Sequence, residues 1–284
     1  MTSASAPASA ANLGPGFDVL ALALDLRLTL SAGRAVHWSL TTGGSPGDAA
    51  SLDMVRTAAL EAVPECPPLA FSVDSAIPVA RGLGSSAALR VAAVAVAMAD
   101  AGLDADRAAI HQAASEAEGH PDNVAAAVHG GLVAVSWAGI PQRLELHPSL
   151  IPLVAVPDTT LETESARSVL SETVTRGVAV RSIARTVLLV EGLRTADRGA
   201  FLGARGDEMH EAQRTALSPL TAELVSAALQ AGALHAGWSG AGPSAVAIVD
   251  EDTEEEVRAA LEQALGGEGA VLDPGIAHSG VEVG

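Results

Sequence analysis

Lysine and tyrosine are both missing from this chain of 284 residues, and only one cysteine, Cys66, is present. The lack of lysine excludes most. A Walker-type phosphate loop and a protein kinase each place a lysine on the nucleotide phosphates, so neither scheme can run here in its usual form. Any phosphate site must instead be assembled from backbone amides, a metal ion and arginine, which supplies all sixteen basic residues. A lone cysteine rules out an internal disulfide framework and a cysteine-rich metal site, and Cys66 reads as a partly buried thiol. Aromatic residues make up 2% of the chain against 49% hydrophobic residues in all, so the interior must be filled by Ala, Val, Leu and Ile. Thirty-four carboxylates leave a net charge of −18. Such a surface repels nucleic acid and anionic membranes, and neither is an expected partner. Residues 1–11 carry no basic segment followed by an apolar core, and the longest apolar stretch, 87–99, is interrupted by Arg90 and too short to span a bilayer. A cytoplasmic protein is the expectation.

The length suits two domains of ordinary size. Alternating apolar positions predict strands at 26–30 and 36–40 with a turn at 31–34, and residues 43–47 read as a loop. Ser51 is expected to cap a helix over 52–63, followed by a strand at 69–73. Residues 78–84 form a glycine-rich loop that opens a long apolar helix over 85–101, stopped by Gly102. Further helices are expected at 104–118 and 124–129, and strands at 131–137 and within 140–150. Beyond an extended piece at 154–157 the pattern turns helical, at 162–170, 174–193 and 219–231. It closes with strands at 233–238 and 245–249 and a helix at 253–265. A domain boundary is placed near residue 150, giving units of 1–150 and 151–284, the second ending as a two-layer α+β unit.

Four strings carry chemistry. Pro78 to Ala88, with Arg81, Gly82, Leu83, Gly84, Ser85, Ser86 and Ala87 between, joins a strand to a helix. Glycine there lets an anion approach the backbone, the first-turn amides face it, and the serine hydroxyls can bond phosphate or ligate Mg²⁺. A β-branched residue at 84 is expected to occupy the phosphate's space while sparing the fold. Asn12 and Asp18 flank a glycine-kinked loop, Asn12-Leu13-Gly14-Pro15-Gly16-Phe17-Asp18; they suit a carboxylate receiving an ammonium group, or else a turn bonded to its own backbone. Gly237 to Ser244 is a glycine-rich turn between two apolar strands. Glu116 to Asn123 gathers three carboxylates, a histidine and an amide at a helix end, and could equally be a solvated acidic face.

Together these strings resemble the motifs of the GHMP kinase superfamily, and most closely its homoserine kinase branch. Pro-x-x-x-Gly-Leu-Gly-Ser-Ser-Ala is similar to the phosphate-binding motif, the 12–18 wording to the N-terminal motif of that branch, and Ser239-Gly240-Ala241-Gly242-Pro243 to the C-terminal motif. The resemblance implies an α+β fold of two domains, an N-terminal one like the second domain of ribosomal protein S5 and a ferredoxin-like C-terminal one. It implies ATP and Mg²⁺, with Pro78 and residues 81–87 on the nucleotide and γ-phosphoryl transfer to the hydroxyl of L-homoserine. One of Glu116 and Glu118 would join Ser86 on the metal, Glu116 being preferred. His120, Asp122 and Asn123 would lie near the transferred phosphoryl, although a loose transition state leaves room for catalysis without a strong base. Thr163 and Arg167, in Thr-x-x-Ala-Arg-x-x-Leu form, and Arg214, in Asp-x-x-His-x-x-x-Arg form, join Asn12, Asp18 and Gly240 around the substrate. The arginines would clamp its carboxylate. A homodimer is left open. Other readings are a GHMP kinase acting on another hydroxy acid, such as threonine, mevalonate or a sugar, and a non-catalytic metabolite-binding relative.

Overall fold

A computed structural model describes residues 1–118 and 120–284. Gly119, within the acidic helix-end string, lies outside the described residues. In chain order the elements are β1 (Thr2–Ala11), β2 (Leu20–Arg34), β3 (Ser39–Thr42), β4 (Ser45–Pro46), α1 (Ala49–Ala62), β5 (Leu69–Ser75), α2 (Ser85–Asp100), α3 (Arg107–Glu118), α4 (Pro121–His129), β6 (Leu132–Val135) and β7 (Pro141–Leu144). The second half continues with β8 (Ile151–Pro157), α5 (Thr163–Ser168), α6 (Arg176–Thr195), α7 (Arg198–Ala204), α8 (Glu211–Arg214), α9 (Pro219–Gln230), β9 (His235–Trp238), β10 (Ala245–Val249), α10 (Glu254–Leu265), β11 (Gly269–Leu272) and β12 (Glu282–Val283).

One sheet runs β12-β1-β2-β5-β3-β4, with β6 attached to β2 and β7 to β6. The other is antiparallel in the order β11-β8-β10-β9, with α9 and α10 packed on it. The two sheets give the expected two-domain α+β fold. β8 opens the second sheet at Ile151, and the chain end returns to the first, where Val283 pairs with Ala4 in β1.

Packing follows the scarcity of aromatic side chains. β1 presents Ala4, Ala6, Ala8 and Ala10, all fully buried, to a core where α2 is apolar on nearly every face. A helix apolar all round must be enclosed, and α2 lies against β1, β2, α1, α3 and α4. The small side chains let that helix approach the sheet closely, which carries its N-terminus over the end of β1.

Two local expectations are overturned. The turn at 31–34 does not exist; β2 runs through it, because Arg34 pairs with Leu69 on one side and Ala32 with Thr2 on the other, and hydrogen bonding on both edges overrides weak turn residues. Asp48, rather than Ser51, caps α1, accepting from Ser51 N at 2.8 Å and from Ser51 Oγ at 2.7 Å.

The return segment depends on a bare backbone at Gly280. A Cβ there would collide with the carbonyl of Val128, while Arg27 Nη2 donates to Gly280 O at 2.8 Å. Gly280→Ala is expected to destabilise the protein by about 1–3 kcal/mol, seen as a lower urea midpoint with an unchanged slope. An unchanged midpoint would show that the segment is not tied to α4 as described.

Candidate active site

Three glycine-bearing segments meet at the end of β1. The chain leaves Ala11 through consecutive left-handed residues, Asn12 (φ 70°), Leu13 (φ 51°) and Gly14 (φ 77°). This backbone is costly for residues bearing a Cβ, and the Asn12 side chain stabilises it: Oδ1 accepts from Asp18 N at 3.0 Å and Nδ2 donates to Gly240 O at 2.8 Å. Gly240 N donates to Ala11 O at 2.9 Å. The turn supplying Gly240 also grips the phosphate loop, since Ser239 Oγ donates to Gly82 O at 2.7 Å and a Cβ on Gly82 would collide with Ser239 O. Arg81 extends the grip by donating to Asp158 O just beyond β8.

A cleft of about 450 Å³ opens around this junction. Asn12, Asp18, Arg81, Gly82, Leu83, Gly84, Ser85, Ser86, His120, Asp122, Asn123, Thr163, Arg167, Arg214 and Gly240 all line it. Pro78, Ala87 and Glu116 do not. Gly84, left-handed at φ 65°, begins α2 without a side-chain cap, so the first-turn amides are left for an anion. A Cβ on Gly84 would strike Ser9 Oγ and crowd Asn123 Oδ1. The glycine is therefore required by packing beneath the loop, which corrects the expectation that a larger residue would only fill the phosphate space.

The carboxylate beside Ser86 is Glu118, not Glu116. Ser86 Oγ donates to Glu118 Oε1 at 2.6 Å, whereas Glu116 is exposed and accepts only from Gln112 across one helical turn. Arg90 Nε lies 2.9 Å from Glu118 Oε2 but directs its hydrogen to Ala117 O, so the buried Oε2 has no hydrogen-bond partner among the described residues. Burial raises the Glu118 pKa, against the lowering effect of Ser86 and Arg90. Among the described residues no group of three or more His, Cys, Asp or Glu could enclose a metal. A hydroxyl and one carboxylate with a free buried oxygen fit a magnesium ion whose remaining ligands are phosphate oxygens and water.

Asp18 and Arg167 line the same cleft as the glycine-serine loop and are paired with each other, at 2.6 and 3.2 Å. Arg214 is almost wholly buried, donating to Ala166 O, to Gly240 O and to His210 Nδ1, and burial pushes its pKa down to about 10. Arg167 and Arg214 both stack on Phe17, at 5.7 and 5.5 Å, and Phe17 stacks on His210 at 4.9 Å. His210 Nε2 donates to Gly14 O at 2.9 Å, so Nδ1 is bare to accept from Arg214, and burial holds the ring pKa down at about 4. Asp207 Oδ2 accepts from the amides of His210 and Glu211.

Sequence reasoning missed Phe17, His210, Asp207 and Ser9. Asp207, His210 and Arg214 stand in the spacing that drew attention to Arg214, and reading all three as one constellation would have recovered the cluster. Asn12 engages both amide heavy atoms with backbone and so shapes the loop, while also lining the cleft. A second wing of the cleft, lined by Leu28, Leu40, Met54, Val73 and Leu89, was also unforeseen, being built from residues scattered over five elements. Asp122 is buried, with its pKa pushed up to about 6 by that burial, and its Oδ1 accepts from Asn123 N at 2.8 Å. The His120 pKa is lowered by burial and by Arg167.

Residues 49–131 match the model of the GHMP kinase N-terminal domain and residues 187–267 that of the GHMP kinase C-terminal domain. A homoserine kinase of Desulfitobacterium hafniense is 36% identical, the match covering 93% of this chain and 92% of that protein. One of a Synechococcus species is 38% identical over 90% and 88%. The crystal structure of a homoserine kinase from Cytophaga hutchinsonii superposes with a TM-score of 0.86 at 27% identity, covering 99% of this chain and 97% of that one. Motifs, geometry and relatives agree, and the chain belongs to the GHMP kinase family, on its homoserine kinase branch.

Proposed function

We propose that this protein transfers the γ-phosphoryl group of ATP to the hydroxyl of L-homoserine, giving O-phospho-L-homoserine for threonine biosynthesis. The observation that carries the reading is that an opposite-charge pair, Asp18 and Arg167, shares one cleft with a capless helix N-terminus. The phosphates lie on the amides of residues 82–86, where the helix dipole favours an anion. The apolar wing from Leu28 to Leu89 takes the nucleobase. Ser86 and Glu118 hold Mg²⁺, which neutralises charge on the phosphates when bound. His120, kept neutral by burial, and Asn123 stand beside the hydroxyl; positioning and charge neutralisation supply most of the rate in a loose phosphoryl transfer. On this reading the nucleotide belongs to a domain of 1–150 and much of the substrate clamp to one of 151–284. Among the described residues no helix is long and apolar enough to cross a membrane, in keeping with a cytoplasmic enzyme.

An amino acid suits the ion pair. Asp18 and Arg167 are partly exposed, so their mutual attraction is worth about 0–1 kcal/mol and is readily exchanged. A zwitterion offers an ammonium to Asp18 and a carboxylate to Arg167 and Arg214, leaving no charge unpaired. A hydroxy acid without the amine leaves Asp18 unmatched, which favours homoserine over mevalonate-like substrates. Intact phosphate-loop, Ser86 and Glu118 positions favour catalysis over a purely binding role.

Losing one partner of a desolvated charged hydrogen bond costs ~2–5 kcal/mol, so Arg167→Ala should reduce kcat/KM for homoserine about thirty-fold or more with little change in the KM for ATP. Asp18→Asn should penalise homoserine but spare 4-hydroxybutanoate, as read in a coupled assay. Preference for the amine-free acid, with Asp18→Asn silent, would move the chain to another substrate.

Glu118→Gln should lower the single-turnover rate, with partial recovery at raised Mg²⁺, while Glu116→Gln stays close to wild type. The reverse pattern would return the metal to Glu116.

A further inference from the structure

Ser9 is the one polar side chain in a strand end otherwise made of alanine, Ala8-Ser9-Ala10-Ala11, and it is fully buried. Buried hydroxyls need a partner, and an alanine would fit this run without one. Its two donors both reach segments of the cleft. Ser9 N donates to Leu83 O at 3.1 Å, fastening the phosphate loop to the edge of β1, and Ser9 Oγ donates to Asn123 Oδ1 at 2.8 Å. The hydroxyl also fills the space under Gly84, where any Cβ would collide with it.

The bond to Asn123 has a direction that matters. A carboxamide has an acceptor end and a donor end of nearly equal size, so a packed site alone does not choose between its two orientations. Here Asp122 chooses: its Oδ1 lies 3.4 Å from Asn123 Nδ2, where a reversed amide would set a carbonyl oxygen against a carboxylate, and in the orientation it selects Ser9 Oγ donates to Oδ1 and holds it. Asp122 is itself held by Asn123 N at 2.8 Å. With Oδ1 turned inward to β1, the amide carries its N–H groups on the other side.

We infer that Ser9, with Asp122, is a positioning residue that locks the Asn123 carboxamide with its donor end toward the transferred phosphoryl group. The inference rests on the phosphoryl-transfer reading above. A donor there stabilises the charge spread over the phosphoryl oxygens, and a reversed amide would oppose it. Asp122 thereby acts through Asn123 rather than as a general base. The pairing joins β1, α4 and the phosphate loop at one buried hydroxyl, so the amide is set before nucleotide arrives.

Ser9→Ala, Asn123→Ala and the double variant test this in steady-state kinetics with ATP and homoserine. Ser9→Ala should lower kcat about tenfold, the scale of one hydrogen bond, with both KM values within about twofold. The double variant should be no slower than Asn123→Ala, because Ser9 acts only through that amide. In the nucleotide-free protein, the ¹⁵N side-chain signal assigned to Asn123 by its loss in Asn123→Ala should shift or broaden in Ser9→Ala. Multiplicative losses in the double variant, an unmoved amide signal, or a raised KM for ATP with unchanged kcat would each overturn the inference while leaving the kinase reading intact. If wild-type enzyme phosphorylates homoserine but Asn123→Ala is as fast as wild type, the inference fails with the role given to Asn123. If wild type phosphorylates no hydroxy amino acid, the failure lies in the function itself.

Discussion

The carbonyl of Gly240 is the point on which the site depends. It accepts from Asn12 Nδ2 and from Arg214 Nη1, two donors brought from opposite ends of the chain. Next to it, Ser239 and Gly242 press on Gly82 so closely that no side chain fits between. The N-terminal loop, the glycine-serine loop, Arg214 and the C-terminal turn are thus tied together through hydrogen bonds to backbone carbonyls and by close backbone packing. Left-handed backbone at Asn12 and Leu13 is the local cost of that junction, met by the hydrogen bonds of Asn12.

From this junction the electrostatics follow. A chain without lysine offers an anion the amides of an uncapped helix. Arg214 is fixed by His210 and two carbonyls, Arg167 is paired with the part-exposed Asp18, and both lie against Phe17. A guanidinium held on an aromatic face and by directed bonds loses little further freedom when it meets a carboxylate. His210 serves this because burial keeps it neutral; only the neutral ring can donate to Gly14 O and accept from Arg214 at once.

The core shows the same economy. Alanine in β1 and alanine and valine in α2 let helix and sheet approach closely, and that approach brings Gly84 directly over Ser9. A bulkier core would lift α2 and separate the phosphate loop from the strand that anchors it. Few aromatic residues are needed when the layers are thin, and one of them, Phe17, stands in the site rather than the core.

Much of this was legible in the residues alone. The glycine-serine loop, the apolar helix after it and the clustered polar strings are local patterns, and local patterns survive folding when backbone geometry requires them: only glycine serves at Gly82 and Gly84, and only an uncapped helix start leaves amides free. The choice between Glu116 and Glu118 was different. Both sit on the last turn of α3, and which one faces Ser86 depends on how α3 rotates against α2, a matter of packing between elements. The same holds for the turn at 31–34, cancelled by strands pairing from both sides, and for Asp18, whose partner Arg167 lies 149 residues away. Sequence determined which chemical groups the protein possesses and which short segments can bind an anion. Tertiary packing decided which of those groups meet, because hydrogen bonds and ion pairs act over a few ångströms and sequence separation carries no measure of that distance.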